Sequence, residues 1–144
     1  MQLTFHTDYG LRVLMFAGAH GDRRVTMREI ASAYSISLEH LRKVVHRLAQ
    51  TGFLVTTKGR AGGLRLACEP ESIRVGDVVM AMEDSLDVMD CSRQPCPLCG
   101  GCSLKTVFES ARQAFIDHLN AYTLADLLRN TSTFNELQRL GQSA

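Results

Sequence analysis

The strongest constraint on the fold is a pair of short helical patterns separated by a very short break. Thr26 and Glu29 have the spacing of a capping box, in which each side chain accepts a hydrogen bond from the backbone N–H of the other residue. A helix is therefore predicted from Met27 to Tyr34. Ser37 follows closely and is placed to cap another helix, from Leu38 to about Thr51. Two short helices joined by so tight a turn predict a helix-turn-helix.

A hairpin is predicted directly after these helices. Residues 53–58 and 64–68 have the character of short strands, and the glycine-rich segment Gly59–Gly63 between them favours a turn. A further helix, beginning at Thr7 or Asp8 and ending near Ala19, precedes the pair. A helix-turn-helix followed by a basic hairpin is a winged helix. The expected fold class is mainly α with a small β-hairpin wing, and a long dimerisation helix follows the winged helix-turn-helix domain.

The front half of the chain is basic. Residues 1–66 hold 10 Lys and Arg against 4 Asp and Glu, although the whole chain has a net charge of only +1. This asymmetry suggests a polyanionic partner, and the basic helix and wing favour double-stranded DNA over a protein partner, which is the alternative. Arg47 falls on the outward face of the last of the three helices. The residues expected at the DNA are Thr26, Arg28, Ser37, Glu39, His40, Arg42, Lys43, Lys58, Gly59, Arg60 and Gly62.

The back half is acidic and predicts a different role. A helix is expected from Val75 to Glu83, and a long one from Ser103 or Leu104 to about Tyr122, where apolar residues recur at intervals of three and four. So long a helix predicts the seam of a homodimer, and packing on its own domain is the alternative. The expected divisions are a DNA-binding domain at 1–70, a connecting helix and linker at 71–90, a cluster loop at 91–102, a dimerisation helix and short C-terminal helix at 103–130, and a flexible tail at 131–144.

Four of the five cysteines fall within twelve residues. Cys91, Cys96, Cys99 and Cys102 have the spacing C-x4-C-x2-C-x2-C. In a reducing compartment such a cluster holds a metal more often than disulfides. Four thiolates suit a tetrahedral zinc site, whereas parts of the spacing match iron–sulfur proteins, so both metals stay open on spacing alone. Cys68 lies on the second strand, outside this group, and is expected to be a small buried hydrophobe.

Composition and charge exclude several classes of protein. The chain is 45% hydrophobic and 22% charged, which is ordinary for a globular protein. Its longest clearly apolar run, Val13–Ala17, is far shorter than the ~20 residues that span a bilayer. No signal peptide is readable, so a cytoplasmic location is expected. No grouping of residues typical of a catalytic site stands out in the sequence. The alternatives to a metal-dependent sensor are a zinc-stabilised regulator and an electron-transfer or scaffold protein.

Several stretches of the sequence carry a resemblance to a known family. They are residues 1–12, the wing at 59–66, residues 73–79, the cysteine loop and residues 120–127. Together they resemble the nitric-oxide-sensing NsrR repressors, which are among the dimeric winged-helix regulators related to the iron–sulfur regulator IscR. The resemblance extends over residues 1–130, and the combination of motifs is specific.

This resemblance implies an iron–sulfur cluster, with [4Fe-4S] favoured and [2Fe-2S] as the alternative. The cluster cysteines of the family correspond to Cys91, Cys96 and Cys102. The fourth ligand of the family corresponds to Asp8 from the other subunit. Cys99 is an addition to the family pattern, and it offers an alternative fourth ligand within one chain.

The resemblance also implies a function. A dimer of this family binds an A·T-rich, partly palindromic operator and represses genes for nitric oxide detoxification, and nitrosylation of the cluster releases the DNA. A histidine that acts as a ligand in the IscR branch is replaced here by Lys105, which cannot ligate while it is protonated. This difference favours a nitric oxide sensor over an iron–sulfur-homeostasis or redox regulator of the same family.

Overall fold

A computed structural model describes residues 2–59, 62–91 and 95–142 of the chain. The predicted DNA-contact residue Arg60 lies outside these ranges. None of the helices within them is long and apolar enough to cross a membrane. The helices are α1 (Phe5–Ala19), α2 (Met27–Tyr34), α3 (Leu38–Gln50), a short 3-10 helix (Pro70–Ser72), α4 (Val75–Met82), α5 (Ser103–Asn120), α6 (Leu124–Leu128) and α7 (Thr131–Gln142), and the strands are β1 (Leu54–Thr57) and β2 (Gly63–Leu66).

The predicted helix-turn-helix is confirmed, and its local signals act as expected. The Glu29 N–H donates to Thr26 Oγ1 at 3.2 Å, and the Thr26 N–H donates to Glu29 Oε2 at 2.6 Å, which completes the capping box of α2. Ser35 ends α2 in the left-handed region, with φ of 54°. Ser37 caps α3 by accepting the His40 N–H at 3.3 Å. These caps fix where each helix begins and therefore which residues occupy its first turn.

The core lies between α1, α3 and the hairpin. Val13, Leu14 and Phe16 of α1 are fully buried, as are Leu41 and Leu48 of α3. Burial of each such side chain contributes about 1.5–3 kcal/mol, before the entropy of ordering it is subtracted. α1 is therefore the central support against which the helix-turn-helix is held.

The wing is a two-stranded antiparallel hairpin in the predicted place. Leu54 pairs with Leu66, and Thr57 pairs with Gly63 near the tip. Val25, just before α2, adds a bridge to β2, since the Leu64 N–H donates to the Val25 oxygen at 2.8 Å. This bridge attaches the wing to the start of the helix-turn-helix, so the two parts of the basic surface keep a common orientation.

The first helix begins earlier than predicted, at Phe5 instead of Thr7 or Asp8. Its cap is Thr4, whose hydroxyl accepts the Thr7 N–H at 3.4 Å. Glu83, which follows α4, holds Thr4 in place by accepting its backbone N–H at 2.7 Å and its hydroxyl at 3.0 Å. The support comes from a residue far along the chain, which a local pattern does not reveal.

The prediction of a flexible tail over 131–144 was wrong for the part of the tail that the structure describes. Residues 131–142 form α7, which packs against α1 and α2. Leu137 is buried in the core cluster, and the Gln138 side-chain amide donates to the Ala19 carbonyl oxygen. Leu140 packs beside Leu137, because residues three apart share one face of a helix. The polar composition of the tail concealed this short apolar face.

The expectation for Cys68 was also wrong. Its side chain is exposed, and it lies beyond the end of β2, which stops at Leu66. The alternation that predicted a strand through residue 68 ends because the chain turns away towards the short helix Pro70–Ser72. Cys68 therefore does not contribute to the core.

Candidate functional site

A groove of about 920 Å³ lies between α3 and the wing. It brings together residues from four parts of the sequence, and two cations face it from α2 and α3, Arg28 and Arg42. The members of the predicted DNA-contact set that line it are Thr26, Arg28, Arg42, Lys58, Gly59 and Gly62. Their contact with DNA stays a prediction, but the fold places them on one surface, as a shared ligand requires.

Two glycines shape the tip of the wing beside this groove. Gly59 has φ of 102°, a conformation that favours glycine because it has no Cβ. A Cβ on Gly62 would collide with the carbonyl oxygen of Thr57, and the Gly62 N–H donates to the Gly59 oxygen at 2.9 Å. The narrow backbone at this point allows close approach to a bulky partner such as a nucleic acid backbone.

Both helices of the helix-turn-helix begin with a hydroxyl residue of the predicted set. Thr26 and Ser37 use an oxygen lone pair to cap their own helix, so each hydroxyl hydrogen stays available to donate to a phosphate. Helix N-termini carry partial positive charge and favour anions. Burial raises the pKa of Glu29, but hydrogen bonds from Arg23 and Thr26 outweigh it and hold the pKa below its ordinary value. Glu29 therefore stays ionised and keeps the capping box closed.

The remaining described residues of the predicted set lie on the exposed side of α3, outside the lining of the groove. Glu39 and Lys43 face each other one turn apart, with Lys43 Nζ 3.9 Å from Glu39 Oε1, and both side chains are well exposed. Such an exposed pair contributes little to stability and separates readily when another partner binds. His40 is also exposed between them in sequence. These side chains are free to reorient towards base edges.

Arg47 is exposed on the outward face of α3, as predicted. It also makes a bond that was not expected, because Arg47 Nε donates to the carbonyl oxygen of Ala81 in α4 at 2.8 Å. Arg47 also lines a shallow pocket with Thr4 and Glu83. The sequence carried no signal for this bond, because its acceptor is a backbone oxygen 34 positions away.

The cysteine loop lies between the segment after α4 and the start of α5. All five cysteines of the chain are free thiols, and those of the loop are exposed except Cys102, which is partly buried as it precedes α5. A turn holds Cys96 and Cys99 together, since the Cys99 N–H donates to the Cys96 oxygen at 3.0 Å. Gly100 follows with φ of 99°. Four unpaired thiols on an exposed loop fit the ligand set of a thiolate-bound metal or cluster.

The predicted ligands do not converge within this single chain. Among residues 2–59, 62–91 and 95–142, no group of three or more His, Cys, Asp or Glu side chains is arranged to hold a metal ion. Asp8 lies within α1 and is neither a cap nor part of such a group. Its carboxylate pairs with Arg12, whose guanidinium lies 5.7 Å from the centre of the Tyr34 ring. Burial raises the pKa of Tyr34 to about 12, so its hydroxyl stays neutral beside this pair.

A pocket of about 300 Å³ joins the start of the loop to α5. Cys91 lines it together with Phe108 and two cations of α5, Lys105 and Arg112. Arg112 Nε is buried, and no hydrogen-bond partner for it lies among the described residues of the chain. Three carboxylates also line the pocket, and one of them, Glu109 Oε1, lies 3.6 Å from Lys105 Nζ, so charges of both signs surround Cys91.

α5 exposes apolar side chains near its N-terminus. Leu104 is 53% exposed and Val107 is 62% exposed, and Ile116, in the second half, is the buried position of the helix. The second half is fixed to α4, because Asn120 Oδ1 accepts the Asp77 N–H at 3.0 Å. The helix is thus held at one end and presents an apolar surface at the other.

Comparison with known sequences places these features in a family. The profile of the Rrf2 family, described as "Iron-dependent Transcriptional regulator", matches residues 3–130. The chain is 40% identical over 144 residues to the HTH-type transcriptional regulator NsrR of Bacillus subtilis (strain 168), covering 97% of this chain and 99% of that protein. It is 42% identical over 141 residues to the NsrR of Geobacillus kaustophilus (strain HTA426), covering 95% and 96%.

Solved structures agree with this placement. The CymR (YrzC) global cysteine regulator of B. subtilis is similar in fold, with a TM-score of 0.74, 23% identity, and coverage of 91% of this chain and 98% of that chain. The IscR of T. potens has a TM-score of 0.70 and 27% identity, with coverage of 90% and 88%. The predicted winged-helix fold is thereby confirmed. The chain belongs to the Rrf2 family of iron-dependent transcriptional regulators, and it is a non-enzymatic DNA-binding repressor.

Proposed function

We propose that this repressor holds an iron–sulfur cluster in its cysteine loop and releases its operator when nitric oxide reacts there. The observation that carries the proposal is the set of four free thiols on one exposed loop between α4 and α5. Support comes from relatives about 40% identical that are named NsrR. Loss of the repressor from the operator would allow transcription of genes for nitric oxide detoxification.

The proposed ligands are Cys91, Cys96 and Cys102, with a fourth from Asp8 of the partner subunit or from Cys99. [4Fe-4S] is the favoured cluster and [2Fe-2S] the alternative. When bound, the cluster supplies iron at which a small neutral molecule reacts. A carboxylate is a hard ligand among soft thiolates, so the Asp8 bond would be the weakest of the set.

Asp8 would connect the loop to the DNA-binding half through Arg12. The Asp8 carboxylate binds Arg12, and Arg12 stacks over Tyr34 at the end of α2. Because a cluster and Arg12 would compete for the Asp8 carboxylate, a change at Asp8 would alter the position of Arg12 and, through Tyr34, reach the helix-turn-helix. Because half-sites in DNA lie about one helical turn apart, a small shift of one helix-turn-helix against that of the partner subunit weakens specific binding.

The active form is proposed to be a homodimer joined along the N-terminal part of α5. Leu104 and Val107 are large apolar side chains left exposed in the single chain. A symmetric dimer matches a partly palindromic, A·T-rich operator. On each subunit the groove between α3 and the wing would follow the DNA backbone, with the N-terminal turn of α3 at base edges.

The first experiment measures iron, zinc and sulfide per chain after oxygen-free purification. Visible spectra and operator binding are then recorded before and after addition of nitric oxide. Equal iron and sulfide, a spectrum bleached by nitric oxide and loss of DNA binding at the same dose support the proposal. Zinc without sulfide, with no response, contradicts it and leaves a regulator with a structural metal.

Matched cysteine variants separate the loop from general thiol chemistry. Cys96→Ala is expected to lose the cluster, whereas Cys68→Ala, at the exposed cysteine outside the loop, is expected to keep it. Comparison of Asp8→Ala with Cys99→Ala identifies the fourth ligand. The variant at the true ligand changes the spectrum and the dose response to nitric oxide, and the other variant leaves both unchanged.

A further inference from the structure

We infer that Arg47 is a positioning residue that sets the placement of the recognition helix α3, and that it does not contact DNA phosphate. The inference rests on the proposed function, because it takes α3 as the helix that reads DNA. An outward arginine on such a helix ordinarily suggests a phosphate contact. Here Arg47 Nε instead donates to the Ala81 carbonyl oxygen at 2.8 Å.

The acceptor is a backbone oxygen at the end of a helix. α4 ends at Met82, and the Glu83 N–H bonds to the Val79 oxygen. The carbonyls after Val79 therefore lie in the last turn, where intrahelical donors run out and partial negative charge accumulates. A guanidinium is a suitable donor at this place, and a charge-assisted bond is stronger than a neutral one.

Three consecutive residues at this end of α4 contact two other helices, α3 and α1. Ala81 binds Arg47 of α3, and Glu83 binds Thr4 at the start of α1. Met82 is buried against Gly10 of α1, where an added Cβ would lie 2.9 Å from Met82 Cε. Because the end of α4 is fixed to α1 on two sides, it is a stable reference point for α3.

The position of α3 affects specific and non-specific DNA binding differently. Specific binding depends on the alignment of side chains with base edges, whereas non-specific binding depends on the number of phosphates neutralised. Loss of the Arg47–Ala81 bond removes a contact that holds the C-terminal half of α3 to α4, so α3 can shift slightly while it stays packed in the core. Specific affinity then falls while non-specific affinity and its dependence on salt stay the same.

Two substitutions separate the hydrogen bond from the charge. The side-chain nitrogen of glutamine is the same number of bonds from Cα as Arg Nε, so Arg47→Gln keeps a donor for Ala81 and removes the charge. Arg47→Met removes both. Lys58→Met, in the groove at the wing, is the control for a lost phosphate contact.

The measurement is fluorescence anisotropy over a salt series with the full-length protein. The probes are a duplex of about 30 base pairs that the wild type selects from a random pool and a scrambled duplex of the same length. Arg47→Met is expected to weaken binding of the selected duplex about fivefold or more, with unchanged binding of the scrambled duplex. Arg47→Gln is expected to stay within about twofold of the wild type on both duplexes.

The salt dependence decides between the two roles. Lys58→Met is expected to weaken both duplexes and lower the salt slope by about 1, while both Arg47 variants keep the wild-type slope. A slope lowered by about 1 in both Arg47 variants, or wild-type affinity in Arg47→Met, overturns the inference. Thermal unfolding followed by circular dichroism verifies that each variant is folded. If Arg47→Met does not fold, the salt slope of Arg47→Gln alone decides between the two roles. A wild type that selects no duplex overturns the proposed function itself.

Discussion

Asp8 and Arg12 form a two-point ion pair along α1, with Arg12 Nη2 2.9 Å from Asp8 Oδ2 and Arg12 Nε 3.0 Å from Asp8 Oδ1. Arg12 also stacks over Tyr34, the last residue of α2. The proposed carboxylate ligand is therefore held by the same side chain that contacts the helix-turn-helix. Any new partner for Asp8 has to compete with Arg12.

This competition predicts the effect of Arg12→Gln on nitric oxide sensing. Without the guanidinium, the Asp8 carboxylate is freer to bind iron, so more nitric oxide is needed for half-release of the operator. Stability changes by less than about 1 kcal/mol, because the pair is exposed. Arg139→Gln is the control, since it breaks an exposed pair with Glu136 within α7, far from Asp8 in the sequence. A dose response identical in both variants and the wild type contradicts the role of Asp8.

Glu83→Gln is predicted to destabilise the protein by about 1 kcal/mol at neutral pH, because the two hydrogen bonds that Glu83 accepts from Thr4 are stronger to a carboxylate than to a neutral amide oxygen. Burial raises the pKa of Glu83, but hydrogen bonds from Thr7 and Thr4 outweigh it and leave the pKa below its ordinary 4.5. For a lowered carboxyl pKa, the stabilisation is complete above 4.5 and is lost as the pH falls through the folded-state value. Urea unfolding at several pH values should show that the difference in stability between the wild type and Glu83→Gln disappears as the pH falls below 4.5. A pH-independent difference would show that the charge of Glu83 is irrelevant.

Leu137→Ala is predicted to destabilise the protein by about 2–3 kcal/mol, because Leu137 is the residue of α7 that is buried in the core. Asn135→Ala, at an exposed position of the same helix, is the matched control and should change stability by less than about 0.5 kcal/mol. Urea unfolding of both variants is the measurement. Equal, negligible effects would mean that α7 does not pack in solution.

Gly76→Ala is predicted to loosen the attachment of α5 to α4. A Cβ at Gly76 would lie 2.8 Å from the Ile116 oxygen and would collide with the Asn120 side chain. Such overpacking costs about 1–3 kcal/mol. Met80→Ala, on the exposed side of α4, is the control for a substitution to alanine in the same helix without a close contact. Thermal unfolding compares the two, and a Gly76→Ala protein as stable as the control would argue against this close contact.

Val107→Glu is predicted to dissociate the proposed dimer, because a charge at the centre of an apolar seam has no partner there. Sedimentation should show monomers at concentrations where the wild type is a dimer, and operator affinity should fall with it. Gln113→Glu adds the same charge at another exposed position of α5 and is expected to leave the dimer intact. If both variants remain dimeric, the interface lies elsewhere on the chain.

Local signals account for the parts of the fold that could be predicted from the sequence. The capping box of Thr26 and Glu29 and the cap at Ser37 involve residues three apart, so pattern and structure report the same contact. The glycine-rich hairpin belongs to the same class. The cysteine spacing likewise indicated a ligand set on one loop, although the single chain does not bring the ligands together.

Long-range contacts account for the parts that could not be predicted. The start of α1 depends on Glu83, and the orientation of Arg47 depends on a backbone oxygen of α4. α7 was read as a polar tail because its burial rests on few apolar residues, chiefly Leu137. In each case the partner lies at least 34 positions away, beyond the reach of helical or strand periodicity.

The return of α7 to α1 and α2 has a consequence for protein synthesis. The segment that completes the packing around the DNA-binding half follows the other elements of the fold in the sequence, so it leaves the ribosome after them. A nascent or prematurely terminated chain therefore presents the helix-turn-helix without the Leu137 contact that covers it. A chain that lacks α7 leaves part of its core uncovered, and an uncovered core favours local unfolding and proteolysis.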